Sequence, residues 1–507
     1  MSVKSRRRAG RKTRTSGAIT QPPWNPLHYK GPPISILTDD QIESIHDAAL
    51  TILQEIGMTV LAPVAREKFG SAGFDVDQGS GRVRFAADGV ESLVSKAPSC
   101  FTLHARNPAK NIKIGDGYAA FSSVGGPAYV MDSDQGRRNG TYVEMCDFLR
   151  LVQSLDILHQ EGGGGFEALD LPAHSRHLDL YYAQCTLLDK NWQPWGIGRG
   201  QAMDAIEMAA IMLGKTPESL IDTPVFSCVI NTNSPLQLDI PMAEGLMAMA
   251  EYGQAVIVTP FTLSGAMSPV TLAGALAQQH AEAMAGIALA QIVRPGTPVL
   301  YGGFTSNVDM KTGSPAFGTP EYVQAAQASG QLARRLGVPF RSSNVTTANC
   351  PDAQAAYESS MSLWGAITGQ SNLIMHAAGW LHGGLTASLE KLIIDAEMLQ
   401  MMSAYTEPFE VNADTLALDA IREVGPAGHF FGAAHTLERY ENAFYTPLLS
   451  NWDNYESWLE RGSVNSEQRA NEIWKQLLRE YQQPSIDPAI DEALKDYVVR
   501  RKSEMPA

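Results

Sequence analysis

Charge is scarce in this 507-residue chain: Asp, Glu, Lys and Arg make up 18% of it, against about 25% in an ordinary soluble protein. With 44% hydrophobic residues, the deficit implies a large interior or extensive subunit contacts. It excludes a disordered or fibrous chain and points to an enzyme-sized globule, expected to form a homo-oligomer. Basic residues are scarcer still beyond the start. Of 39 Lys and Arg, seven stand in residues 1–14, "MSVKSRRRAGRKTR", which hold no acid, so the rest of the chain sets 32 basic against 54 acidic groups. An acidic body excludes nucleic acid as the main ligand, because phosphate neutralisation needs a basic surface. Residues 1–14 lack apolar periodicity and read as a solvated, disordered tail; a docking arm for an acidic partner and an organelle transit peptide are the alternatives.

Cysteine is rare and unpatterned. Cys100, Cys146, Cys185, Cys228 and Cys350 show no CxxC or CxH spacing, which speaks against a structural zinc and for a reducing compartment. Long apolar runs are missing as well. No stretch reaches the roughly 18 residues of a membrane helix, and the most apolar helical segment, 279–293, still carries Glu282. A soluble, cytoplasmic protein is expected. The chain also lacks H-E-x-x-H, a P-loop and a convincing G-x-S-x-G elbow.

What is present is repetition. A Pro-rich connector follows the tail, and residues 38–57 then carry a helix signature: Thr38 as cap, acids in the first turn, apolar residues at three-to-four spacing and Gly57 as terminator. From residue 118, short apolar runs begin near 118, 156, 192, 224, 255, 298, 338 and 372, separated by helical stretches. Eight alternations of strand and helix predict an α/β protein, specifically a (β/α)8 TIM barrel. An open doubly wound sheet is second, since no G-x-G-x-x-G follows the first strand. The expected layout is a basic tail and connector over 1–37, an α+β extension over 38–117, the barrel over 118–405 and an aromatic, helical extension over 406–507 that wraps the barrel or an interface.

In such a barrel the residues just after each strand line the active face. The inferred strand ends are rich in glycine and hold no lysine for a Schiff base. Glu161 is the one acid among them, so a paired-carboxylate glycosidase is weakly supported. Aromatics are plentiful: Phe166, Trp195, Phe261, Phe304 and Trp380 suit a quaternary ammonium, which donates no hydrogen bonds and is held by ring faces.

The segment 338–399, with "PDAQAAYES", "HAAGWL" and a glycine pair, together with "SVGGPAYVMD", "EGGGGF" and "GHFFGAAHT", resembles the trimethylamine methyltransferase family of corrinoid-dependent methyltransferases along nearly the whole chain. The resemblance implies a TIM barrel that moves a methyl group from a methylated amine to the cobalt of a cobalamin held by a separate corrinoid protein, with no cofactor or metal bound tightly by this chain itself. Archaeal trimethylamine members carry pyrrolysine; this sequence uses only the twenty ordinary residues and resembles the bacterial branch acting on glycine betaine, proline betaine or carnitine. On that reading Arg341 and Asn344 anchor a betaine carboxylate, His376 adds a hydrogen bond, and Glu161 either faces the ammonium or caps a loop. Gly125, Gly126, Gly163, Gly164, Gly302, Gly303, Gly379 and His382 would face the corrinoid. Each has a plainer role open to it: Arg341 could pair with Asp352 or Glu358, and His376 could be a core histidine. Two other activities stay open, a cofactor-free barrel lyase or hydrolase using Glu161 and His376 as acid and base, and a non-catalytic betaine-binding protein.

Overall fold

A computed structural model describes residues 19–505; the basic tail 1–14 lies outside them. Helix α1 (Asp39–Thr51) starts where the sequence places it. The Thr38 hydroxyl accepts from the Gln41 N–H, and the Gln41 side chain accepts from the Thr38 N–H. The chain widens to a π turn over Ile52–Ile56 and stops at Gly57, whose φ of 75° and contact with the Val83 carbonyl leave no room for a Cβ.

Eight short strands follow, each near an inferred apolar run: β1 (Tyr118–Phe121), β2 (Gln160–Glu161), β3 (Asn191–Trp192), β4 (Ser227–Thr232), β5 (Ala255–Pro260), β6 (Val299–Gly302), β7 (Phe340–Ser343) and β8 (Leu373–Met375). They alternate with α2 (Tyr142–Ser154), α3 (Arg176–Leu187), α4 (Gly198–Met212), α5 (Ile240–Glu251), α6 (Leu272–Val293), α7 (Pro320–Arg335), α8 (Ala353–Thr368) and α9 (Leu389–Thr406). Helix α3 carries too little apolar periodicity to be found from sequence; its buried side includes His177 and Gln184.

One parallel ladder runs β4–β5–β6–β7–β8–β1, and Leu27–His28 adds an antiparallel edge at β1. Strands β2 and β3 pair in parallel, and Ser122 bridges Gln160 beside β1. Toward β4 the connection is made by side chains: Gln160 Nε2 donates to Ser227 Oγ at 2.9 Å, and Asn191 Nδ2 to the Val225 carbonyl at 3.1 Å. The expected α/β class is therefore what the chain adopts, while the main-chain ladder is not continuous between β3 and β4 among the described residues. Apolar side chains from the strands and their covering helices form the core.

Within 38–117, Met58–Val60, Arg82–Arg84 and Asp75–Asp77 form a small sheet that also takes in Gln237–Leu238 from the loop after β4. Beyond α9 come α10 (Leu418–Val424), α11 (Ala434–Arg439), α12 (Ser466–Glu480) and α13 (Pro488–Glu504). Helix α12 packs on α9, where Glu390 accepts from Trp474 and Asn471; α13 packs on α4, where the buried Asp204 accepts from Tyr497 and Arg501. No helix among the described residues is long and apolar enough to cross a membrane.

Candidate active site

A cavity of about 590 Å³ opens at the carboxyl ends of the strands. Its walls come from Gly125 and Gly126 after β1, Gly162 after β2, Gln193 to Ile197 after β3, Asn231 to Ser234 at β4, Phe261 after β5, Phe304 after β6, Arg341 on β7, and Met375, His376 and Trp380 at β8. This is the face the strand-end argument selects.

Arg341 is the outstanding group. It is 2% exposed, yet its Nε and Nη1 have no hydrogen-bond partner among the described residues. Its guanidinium lies against the Phe304 ring, Cζ 5.1 Å from the centroid. Desolvation lowers its pKa to about 10, so it remains a cation at neutral pH. Neither structural partner weighed for it is engaged with it: Asp352 caps α8 through Gln354 N and Ala355 N, and Glu358 accepts from Thr346 Oγ1, Thr347 N and Ala348 N. A buried cation with open donors is costly unless an anion arrives.

His376 stands beside it, in the left-handed region at φ 51°, a conformation rare for a residue with a Cβ. The turn is held on both sides: Ala377 N donates to the Ser122 carbonyl at 2.7 Å, and Asn344 Nδ2 to the Ala377 carbonyl at 2.9 Å. Burial, and then the charge of Arg341, keep the imidazole well below the usual histidine range, so it is neutral. Its Nδ1 has no partner among the described residues. Rings close the wall: His376 to Trp380 at 4.6 Å, Phe304 to His376 at 6.4 Å, and Phe261 to Phe304 at 5.1 Å between centroids. Trp195 faces the same space, its Nε1 donating to the Gly163 carbonyl at 3.2 Å.

Other expected site residues are placed elsewhere. Asn344 is buried behind His376 and serves the turn, not the cavity. Phe166 is 1% exposed and packs edge-on against Phe148, because the chain has already folded back from the mouth by that point. Glu161 caps a loop: one carboxylate oxygen accepts from Gly163 N and Gly164 N, the other from Gln184 Nε2 at 2.6 Å. Burial raises its pKa to about 7. His382 has both ring nitrogens engaged, one with Thr386 Oγ1 and one with the Asn349 carbonyl, so it is not free for an outside ligand.

The glycines are also mostly internal. A Cβ on Gly302 would strike Thr259 and one on Gly125 the Gly162 carbonyl; Gly164, Gly303 and Gly379 are likewise too closely packed for a Cβ, while at Gly163 a Cβ would meet only ordinary contacts at 3.5 Å and beyond. Gly126 is exposed with open space around it. Close packing, not room for an outside body, explains most of this composition.

Sequence reasoning missed Gln193, Met267 and Met375 in the lining. Gln193 was findable: β3 ends at Trp192, and Pro194 cannot continue a ladder, so the strand end lies earlier than the apolar run suggests. Met267 belongs to the irregular chain after β5, where periodicity says nothing.

The sequence profile described as trimethylamine methyltransferase (MTTB) matches residues 4–506. A glycine betaine methyltransferase from Desulfitobacterium hafniense (strain Y51) is 38% identical over 475 residues, covering 94% of this chain and 98% of that one. The trimethylamine methyltransferase MttB2 of Methanosarcina mazei is 28% identical over 489 residues, covering 91% and 94%. Among solved structures, the monomethylamine methyltransferase MtmB of Methanosarcina barkeri aligns with a TM-score of 0.50 at 10% identity, covering 90% of this chain and 91% of that one, a likeness of fold alone. The match along almost the full length identifies this chain as a member of the trimethylamine methyltransferase (MTTB) family.

Proposed function

We propose that the chain moves a methyl group from a quaternary amine of the betaine class, glycine betaine first, to the cobalt(I) of a corrinoid carried by a separate protein in the cytoplasm. The scaffold is a (β/α)8 barrel over 118–405, completed between β3 and β4 by side chains and flanked by the extensions 38–117 and 406–507. The observation that carries this reading is Arg341: a buried guanidinium with unused donors, in an aromatic-walled cavity with no carboxylate opposite it. A zwitterion answers both features. Its carboxylate pairs with the Arg341 guanidinium through charge-assisted hydrogen bonds, and its trimethylammonium lies against Phe261, Phe304, Trp380 and Trp195. The glycine betaine methyltransferase relative supports the same substrate class.

The chemistry asks little of the protein's acids and bases. The methyl carbon leaves nitrogen for cobalt, the C–N electron pair stays on nitrogen, and the product is a neutral tertiary amine, so no proton moves. Arg341 and a neutral His376 fix the carboxylate end, the rings exclude water, and the N–CH3 axis is turned to the open rim near Gly126, where the acceptor would approach. A panel of glycine betaine, proline betaine, carnitine and trimethylamine with cob(I)alamin tests this. Methylcobalamin and a demethylated amine should appear with a betaine. Turnover without cobalt would favour a lyase or hydrolase, and binding without product a binding protein.

A further inference from the structure

The segment 409–444 is folded, and its polar and ring contacts are made within itself. It contains α10 and α11, and its hydrogen bonds and ion pairs are internal, such as Arg439 with Asp414 and Thr415 with Glu410. Among the described residues no hydrogen bond, ion pair or ring contact ties 409–444 to anything outside it. The first anchors beyond are Tyr445 and Leu449 on Glu397. None of its side chains joins a hydrophobic core cluster. Phe409, Phe431 and Phe444 are instead 87%, 86% and 83% exposed, with Val411, Ile421 and Tyr440 exposed beside them. Scattered surface apolars are ordinary; a contiguous segment with this many is an interface.

We infer that this segment is an arm that packs on a second copy of the chain. Two observations select that occupant. The arm is rooted away from the cavity: α9 begins at Leu389, capped by Ser388 beside the loop carrying Trp380, and runs 18 residues, or about 27 Å, before the arm leaves. There Tyr405 packs edge-on against Trp364 near the far end of α8. A partner delivering a methyl acceptor has to cover the cavity mouth, at the opposite end of α9. The size also fits. The arm offers 36 residues, and a stable protein interface uses roughly 20–30 a side. A two-fold arrangement, each arm on the other body, buries both sets with one kind of contact.

Sedimentation of the full chain at low micromolar concentration tests the inference. The wild type should sediment as a dimer or a multiple of it. Phe431→Asp and, separately, Phe444→Asp should each weaken association about tenfold or more, with the circular dichroism of the subunit unchanged, because neither ring belongs to its core. Amide exchange over 409–444 should slow with increasing wild-type concentration and not in the variants. A monomeric wild type, or variants that associate as the wild type does, would overturn the inference. So would variants that stay dimeric but lose binding to the corrinoid protein.

Discussion

At the scale of single residues, Arg341 carries a cost that makes sense only with ligand present. Replacing it with Met removes a buried charge that has no partner in the free enzyme, so the ligand-free Arg341→Met chain should melt at a higher temperature than the wild type. Specificity should move the other way. A hydrogen-bonded charge contact is worth about 1.5–3 kcal/mol, so preference for glycine betaine over tetramethylammonium, in kcat/KM, should fall about 10- to 100-fold. A variant that melts lower, or keeps its preference, contradicts the assignment. This residue was legible in the sequence as a cation on a strand, but not as an unpaired one; pairing depends on where Asp352 and Glu358 point, and spacing does not give that. Phe166 and Asn344 show the same limit: a residue can follow a strand and still turn its side chain away from the lumen.

At the scale of elements, buried carboxylates hold the loops of the mouth. Glu282 on α6 accepts from Ser234 Oγ, Thr232 Oγ1 and Leu236 N after β4. Glu358 on α8 holds 346–348 after β7. Asp395 on α9 accepts from Gly379 N after β8. Glu282→Ala would leave these donors buried without an acceptor and should destabilise the fold by about 3 kcal/mol or more, measurable by denaturant titration; a near-neutral result would mean that the loop is held otherwise.

Glu161 does the same for the loop after β2, and through the Gly163 carbonyl it sets the Trp195 indole. Its folded pKa of about 7 lies above the unfolded value, so the folded state holds this proton longer. Stability from this group is therefore present below about pH 4.5 and is lost as pH rises toward 7, on the order of 3 kcal/mol in all. Activity should run opposite, rising through pH 7 as the ionised carboxylate tightens the loop under Trp195. Glu161→Gln should flatten that step in the kcat/KM profile. His376, neutral throughout, should add no step of its own near pH 6.5. A Glu161→Gln enzyme that keeps the rise would assign it to another group.

At the scale of the whole molecule, much of the α/β alternation could be read from apolar runs and helix caps, because most strand residues are buried whichever face they point to. The missing helix α3 and the break in the ladder at β3–β4 could not, since both depend on polar residues, Gln184, Gln160 and Asn191, whose partners lie far along the chain. The exposed segment 409–444 follows the end of α9 that lies away from the cavity. The most direct test of the central claim is a single turnover of glycine betaine, isotopically labelled in its methyl groups, with cob(I)alamin. The account predicts one labelled methyl on cobalt for each dimethylglycine formed, with a much lower yield for Arg341→Met. Betaine consumed without label on cobalt, or bound and never demethylated, would contradict it.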